Sequence, residues 1–131
     1  MHAFWSLPDA TPDLSPDWKN DVFAQILATT SSLLEAAARE MPVHFQPLPH
    51  AFEIFGLDFL VDERGCAWLL EVNAFPDFAQ TGPELADVIA GLFEGVVDVA
   101  VKPYFGLDDE GLADKGTENM IKTLDIDLGR R

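Results

Sequence analysis

The sequence is short of several things, and each shortage excludes a class. It has one cysteine, Cys66, so no intramolecular disulfide framework can form and no cysteine-based zinc site can be built. A reducing cytosolic or nuclear setting fits that usage. Basic residues number 8 against 23 acidic, for a net charge of −15. Non-specific binding to nucleic acid or to an anionic membrane needs clustered Lys and Arg, so both are disfavoured. A strongly acidic partner is disfavoured for the same reason. The apolar stretches fall far short of the roughly 20 residues that a membrane span requires. The opening "MHAFWSLPDATPDLSPDW" lacks a basic region ahead of a clean apolar segment, which argues against a secretory signal. What remains is 131 residues, 48% of them apolar, enough for one domain with a core.

Residues 1–14, rich in Pro and Asp, read as a loop or lead-in. Ser15-Pro16-Asp17 is a helix-start composition. Trp18, Val22, Ile26, Leu33 and Ala37 then recur at helical spacing, widened by Phe23, Leu27, Leu34 and Met41. The pattern predicts a helix over 16–41, with Thr29 to Ser32 loosening its middle. Pro42, Pro47 and Pro49 make "MPVHFQPLPH" an extended connector. Two apolar runs follow within 51–75, separated by the turn composition "DERG", and predict a β-hairpin. After "AFPDFAQTG", Thr81 and Glu84 suit a capping box. Leu85, Val88, Ile89, Leu92, Phe93, Val96 and Val97 predict a second helix over 83–101, which Pro103 should end. The tail 106–131 is acidic and glycine-dotted. It reads as loop or disorder, with room for a short helix at Met120, Ile121 and Leu124.

The hairpin carries the chemistry. Glu71 and Asn73 are two apart and must share a face. A two-residue turn at Arg64-Gly65 would pair Glu63 with Cys66 and set Asp58 directly opposite Glu71. A four-residue turn keeps that face, and a three-residue turn would flip it. Ile54 and Leu60 would share the face and give it apolar walls. Carboxylates so placed repel unless a proton, a basic group or a cation lies between them. Two carboxylates and an amide oxygen suit Mg²⁺; the absence of His and Cys from the trio disfavours zinc and copper. A solvated acidic face remains an open alternative. Trp68-Leu69-Leu70, apolar on both faces, reads as a central strand and favours acids placed for a purpose.

Other residues attract weaker readings. His44 and His50 read as loop histidines with no third ligand nearby, and Cys66 as unreactive for want of cationic neighbours beyond Arg64. Trp18 and Trp68 read as core, Trp5 as exposed or docking, "DDE" at 108–110 as solvated surface. Lys102 reads as a cation suited to a helix C-terminus.

"FEIFGLDFLVDERGCAWLLEVN" resembles the metal-binding hairpin of the tubulin–tyrosine ligase-like family, within the ATP-grasp superfamily. The pattern is carried by Phe52, Glu53, Gly56 and Asp58, then by Trp68 through Asn73. The resemblance implies an α+β fold: the C-terminal part of an ATP-grasp domain, with an antiparallel hairpin packed with two long helices over 15–105. It implies that Asp58 and Glu71 bind Mg²⁺, that Asn73 completes a second metal site, and that Leu70 packs against the adenine of ATP. The implied reaction is ATP-dependent carboxylate–amine ligation through an acyl-phosphate, onto a protein or peptide acceptor. Ala74-Phe75-Pro76-Asp77 stands where tubulin-directed members carry small polar residues, which counts against tubulin as that acceptor. "NAFPDFAQTG" resembles a fungal branch linked to cytoplasmic mRNA-processing bodies (P-bodies), where an alternative role is an idle remnant serving as an interaction module for mRNA-decay proteins. Phosphate-binding Lys and Arg of an earlier lobe are missing, Lys19 and Arg39 lying on the first helix. The resemblance therefore implies a part of a larger enzyme, inactive alone and with apolar surface left exposed.

Overall fold

A computed structural model describes residues 14–78, 85–107 and 120–129. The chain is α+β. Helix α1 spans Trp18–Glu40. Strands β1 (Gly56–Val61) and β2 (Ala67–Asn73) form a two-stranded antiparallel hairpin. Helix α2 (Ala86–Val96) continues through a π-helical turn, Val97–Val101, into the short α3, Lys102–Phe105. Two compact units divide these elements. One holds α1, the hairpin and the segment from Thr123; the other holds 48–54 and the helical run from α2 to α3.

In the first unit α1 packs on β2. Its Trp18, Val22 and Ala38 are buried, and Val22 is fully enclosed. Trp18 and Val22 stand four apart, so one stripe of the helix supplies this enclosure. The helix begins two residues later than Ser15-Pro16 suggested. Asp17 occupies the cap position, and the Trp18 N–H donates to the Ser15 carbonyl at 3.1 Å. Thr29 to Ser32 do not interrupt it, because their neighbours on both sides hold the helical hydrogen bonds. The connector beyond Met41 is not extended at first: the N–H groups of His44 and Phe45 both turn back to the Met41 carbonyl.

The sheet is shorter than the 51–75 hairpin of the sequence reading. Pairing starts at Gly56 opposite Asn73. Phe55 and the residues before it stand outside the ladder. Ile54 therefore lies outside the sheet and walls nothing on it. Phe55 instead meets Phe45, ring centroids 6.2 Å apart. Trp68 is not core either: it is 57% exposed, alongside Leu60 on β1.

In the second unit Pro103 does not end the helix. Proline lacks an N–H and its ring crowds the carbonyl four residues back; the wider π turn Val97–Val101 lies just ahead of it and gives that ring room. The run ends three residues later at Gly106, in the left-handed region at φ 63°, with the Leu107 N–H closing on the Lys102 carbonyl. Lys102 forms an i,i+4 ion pair with Asp98. The rings of Phe78 and Phe93 meet edge-on at 5.4 Å, as do those of His50 and Tyr104 at 5.7 Å.

Residues 120–129 contain no helix, so Met120, Ile121 and Leu124 do not form one. Trp5, the capping box at Thr81 and Glu84, the start of the second helix at 83 and the "DDE" run lie outside the described residues. No helix among the described residues is long and apolar enough to cross a membrane.

Candidate functional site

The loop between the strands decides where the acids go. It has three residues: Asp62 pairs with Cys66, its N–H donating to the Cys66 carbonyl at 3.0 Å. Gly65 takes φ 75°, a left-handed conformation that glycine adopts without strain and that is usual for loops of this length. A side chain there would also meet Leu14, since a Cβ at Gly65 would stand 3.3 Å from Leu14 Cδ2. The two-residue turn at Arg64-Gly65 is thus corrected.

A three-residue loop alone would have turned Glu71 to the opposite face. It does not, because β2 carries a bulge. Val61 pairs with Ala67, Leu60 with Trp68 and Phe59 with Leu69; then Leu70 is passed over and Asp58 pairs with Glu71. One extra residue on one strand reverses the parity set by the loop. The predicted juxtaposition of Asp58 and Glu71 therefore holds, by a route that the sequence reading did not contain.

Asn73 completes the group. Its Nδ2 donates to Asp58 Oδ2 at 3.2 Å and to Glu71 Oε1 at 3.1 Å. Asp58 and Glu71 are exposed and Asn73 is half-buried. The amide N–H groups thus stand between two like charges and partly offset their repulsion. Turning that amide over would present an oxygen instead. The donor set would then be three oxygens, two of them anionic and open to solvent, with space for waters and phosphate oxygens. That chemistry fits Mg²⁺ and suits zinc or copper poorly. Leu70, put out of the ladder by the bulge, is 62% exposed and lies next to Glu71, with Trp68 and Leu60 beyond it on the same surface.

The turn end is tied down by two side chains. The Asp62 carboxylate accepts from the Arg64 and Cys66 N–H groups at 2.9 Å each and from the Trp68 indole at 3.0 Å. The indole hydrogen bond first, then the Cys66 and Arg64 amides, hold Asp62 below the usual carboxylate range. Gln25 reaches across from α1. Its Nε2 donates to the Gly65 carbonyl at 2.9 Å, and its Oε1 accepts the Ala67 N–H at 3.1 Å. Sequence reading overlooked Gln25. Its signal was position: it lies three residues after Val22 and seven after Trp18, a polar residue in the buried stripe.

A small α+β unit that presents such a hairpin on a long helix belongs to a recognisable class. The sequence profile of the Tubulin-tyrosine ligase family matches residues 1–108, and the chain belongs to that family. It is similar to a probable tubulin–tyrosine ligase of Schizosaccharomyces pombe, 51% identical over 66% of this chain and 22% of that protein. It is also similar to one of Saccharomyces cerevisiae, 38% identical over 89% of this chain and 16% of that protein. A protein monoglycylase of Homo sapiens is 33% identical over 76% of this chain and 12% of its own length. The chain thus spans about a fifth of the length of the first two relatives.

Proposed function

We propose that this chain contributes the metal- and nucleotide-binding hairpin of an ATP-dependent carboxylate–amine ligase of the tubulin–tyrosine ligase type, with an ATP-grasp fold in the whole protein. The observation that carries the reading is the convergence of Asp58, Glu71 and Asn73 on one solvent-open face. Membership of the family supports the ligase class.

Asp58 and Glu71 would hold Mg²⁺, and Asn73, with its amide turned over, would supply a third oxygen. Held by those residues, Mg²⁺ would supply positive charge against the phosphates of ATP during phosphoryl transfer. The protein's own work is positioning. Leu70, bare beside Glu71, offers an apolar surface for the adenine. The acceptor carboxylate takes the γ-phosphoryl group, releasing ADP; an incoming amine then displaces phosphate and forms the amide. No protein nucleophile is needed for either step. The acceptor is a protein or peptide. Phe75, 93% exposed, and Asp77 stand on the segment after β2, and an acidic chain suits an acidic tubulin tail poorly. The setting is cytoplasmic, with a P-body association for the fungal branch.

The test is a titration of the full-length protein with Mg²⁺ and ATP, comparing wild type with Glu71→Gln. Wild type should bind ATP in a Mg²⁺-dependent way, and the variant should lose that dependence. Equal affinity and equal Mg²⁺ dependence in both would falsify the metal-site reading. The alternatives would then be an idle interaction module in an mRNA-decay assembly or a domain whose acidic hairpin is solvated surface.

A further inference from the structure

In this hairpin the acids meet because two irregularities cancel: a three-residue loop and a one-residue bulge at Leu70. Without the bulge, the same loop would set Asp58 opposite Leu70 and send Glu71 and Asn73 to the helix-facing side. Without the three-residue loop, a bulge-free hairpin would bring the acids together but turn Trp68 towards α1. Whatever pins the loop to α1 therefore selects among registers. Gln25 is placed to do this. It bonds the backbone on both sides of Cys66, at the Gly65 carbonyl and the Ala67 N–H, from a helix forty residues away in sequence. Both bonds are part-buried, so neither water nor an apolar side chain replaces them cheaply. With Ala67 held against α1, alternation turns Trp68 outward, where its indole reaches Asp62, and Leu69 inward. Leu70 is then the residue left over.

We propose that Gln25 is a positioning residue for the hairpin site: by clamping residues 65–67 to α1 it holds the register in which Asp58, Glu71 and Asn73 share a face while Trp68 is turned outward. The assignment rests on the metal-site reading above. Gln25 touches neither metal nor nucleotide. Its effect passes along β2, through the backbone from Ala67 to Glu71.

The test uses the full-length protein and three forms of it: wild type, Glu71→Gln and Gln25→Met. Methionine keeps the length and volume of glutamine and removes both hydrogen bonds. ATP binding is titrated with Mg²⁺, and the half-saturating Mg²⁺ concentration is read separately from the number of nucleotide sites per chain. Gln25→Met should raise the half-saturating concentration roughly tenfold, the scale of lost outer-shell support in metal sites, with the number of sites unchanged. If Glu71→Gln shifts the titration and Gln25→Met leaves it alone, Gln25 is not a positioning residue and the metal site stands. A loss of sites at unchanged half-saturation means that Gln25 serves folding only, and also overturns the proposal. If neither variant shifts the titration, the metal site itself is wrong. A second measurement needs no variant. Coupling is reciprocal, so saturating Mg²⁺ and ATP should slow hydrogen exchange at the Ala67 amide of the wild-type protein. Slowing confined to residues around Glu71, with Ala67 unchanged, would sink the idea.

Discussion

The two ends of the hairpin are built on opposite principles. At the turn end the polar groups are tied to partners within the chain: Asp62 takes three donors, Gln25 bonds two backbone groups, and Gly65 adopts the left-handed conformation of the loop. At the open end two carboxylates face each other across the ladder, and a single amide mediates between them. One end pairs its acid with several donors; the other sets two acids side by side with a single amide between them. The difference teaches where stability and function part company. Groups that hold the fold together find their partners within the chain, whereas groups meant for a ligand are left incompletely paired.

The comparison breaks most visibly at the open end. Asp58→Asn in the full-length protein should weaken Mg²⁺-dependent ATP binding by about 100-fold, because a first-sphere ligand costs at least as much as outer-shell support does; calorimetric titration checks it. At the turn end, Gly65→Ala should destabilise the chain by about 1–2 kcal/mol through the left-handed conformation, read as a lower urea midpoint at unchanged slope. Glu71→Gln should do the reverse in the absence of metal. It removes one of two like charges placed directly opposite, and should stabilise the chain by up to ~1 kcal/mol, read as a higher urea midpoint. A site residue whose neutralisation stabilises the apo chain is the signature of an end built for a ligand. The smallest effect lies with Asp62. Its folded value is lowered, so the stability it contributes is present above its unfolded value and is lost as pH falls through the folded one. The window lies below about pH 4. Asp62→Asn should therefore flatten the acid limb of a urea-midpoint profile there and leave the neutral region little changed. An identical acid limb in both proteins would show that Asp62 adds nothing by its charge.

Much of this was legible in the residues. The stripe through Trp18 and Val22 announced α1, and "DERG" between two apolar runs announced the hairpin. Glu71 and Asn73 could be grouped because alternation holds between them, whereas Asp58 was joined to them through a two-residue turn that the three-residue loop and the bulge replace. Trp68 was misjudged because the strand looked apolar on both faces, which alternation alone cannot sort into inside and outside; the clamp at Ala67 sorts it. Ile54 was misjudged because the apolar run continues where the ladder stops, at Gly56 opposite Asn73. Pro103 was read as a terminator because the rule assumes an α-helix, and a π turn relaxes the clash on which the rule depends.

The sequence by itself determined the helix α1, the existence of the hairpin and the family to which the chain belongs, since each rests on local spacing or on a contiguous motif. Tertiary structure decided the register. Loop length and bulge position together set it, and the bulge at Leu70 follows from no short pattern. Contacts from Gln25 on a distant helix hold residues 65–67 in that register, and with it the face on which Asp58, Glu71 and Asn73 meet.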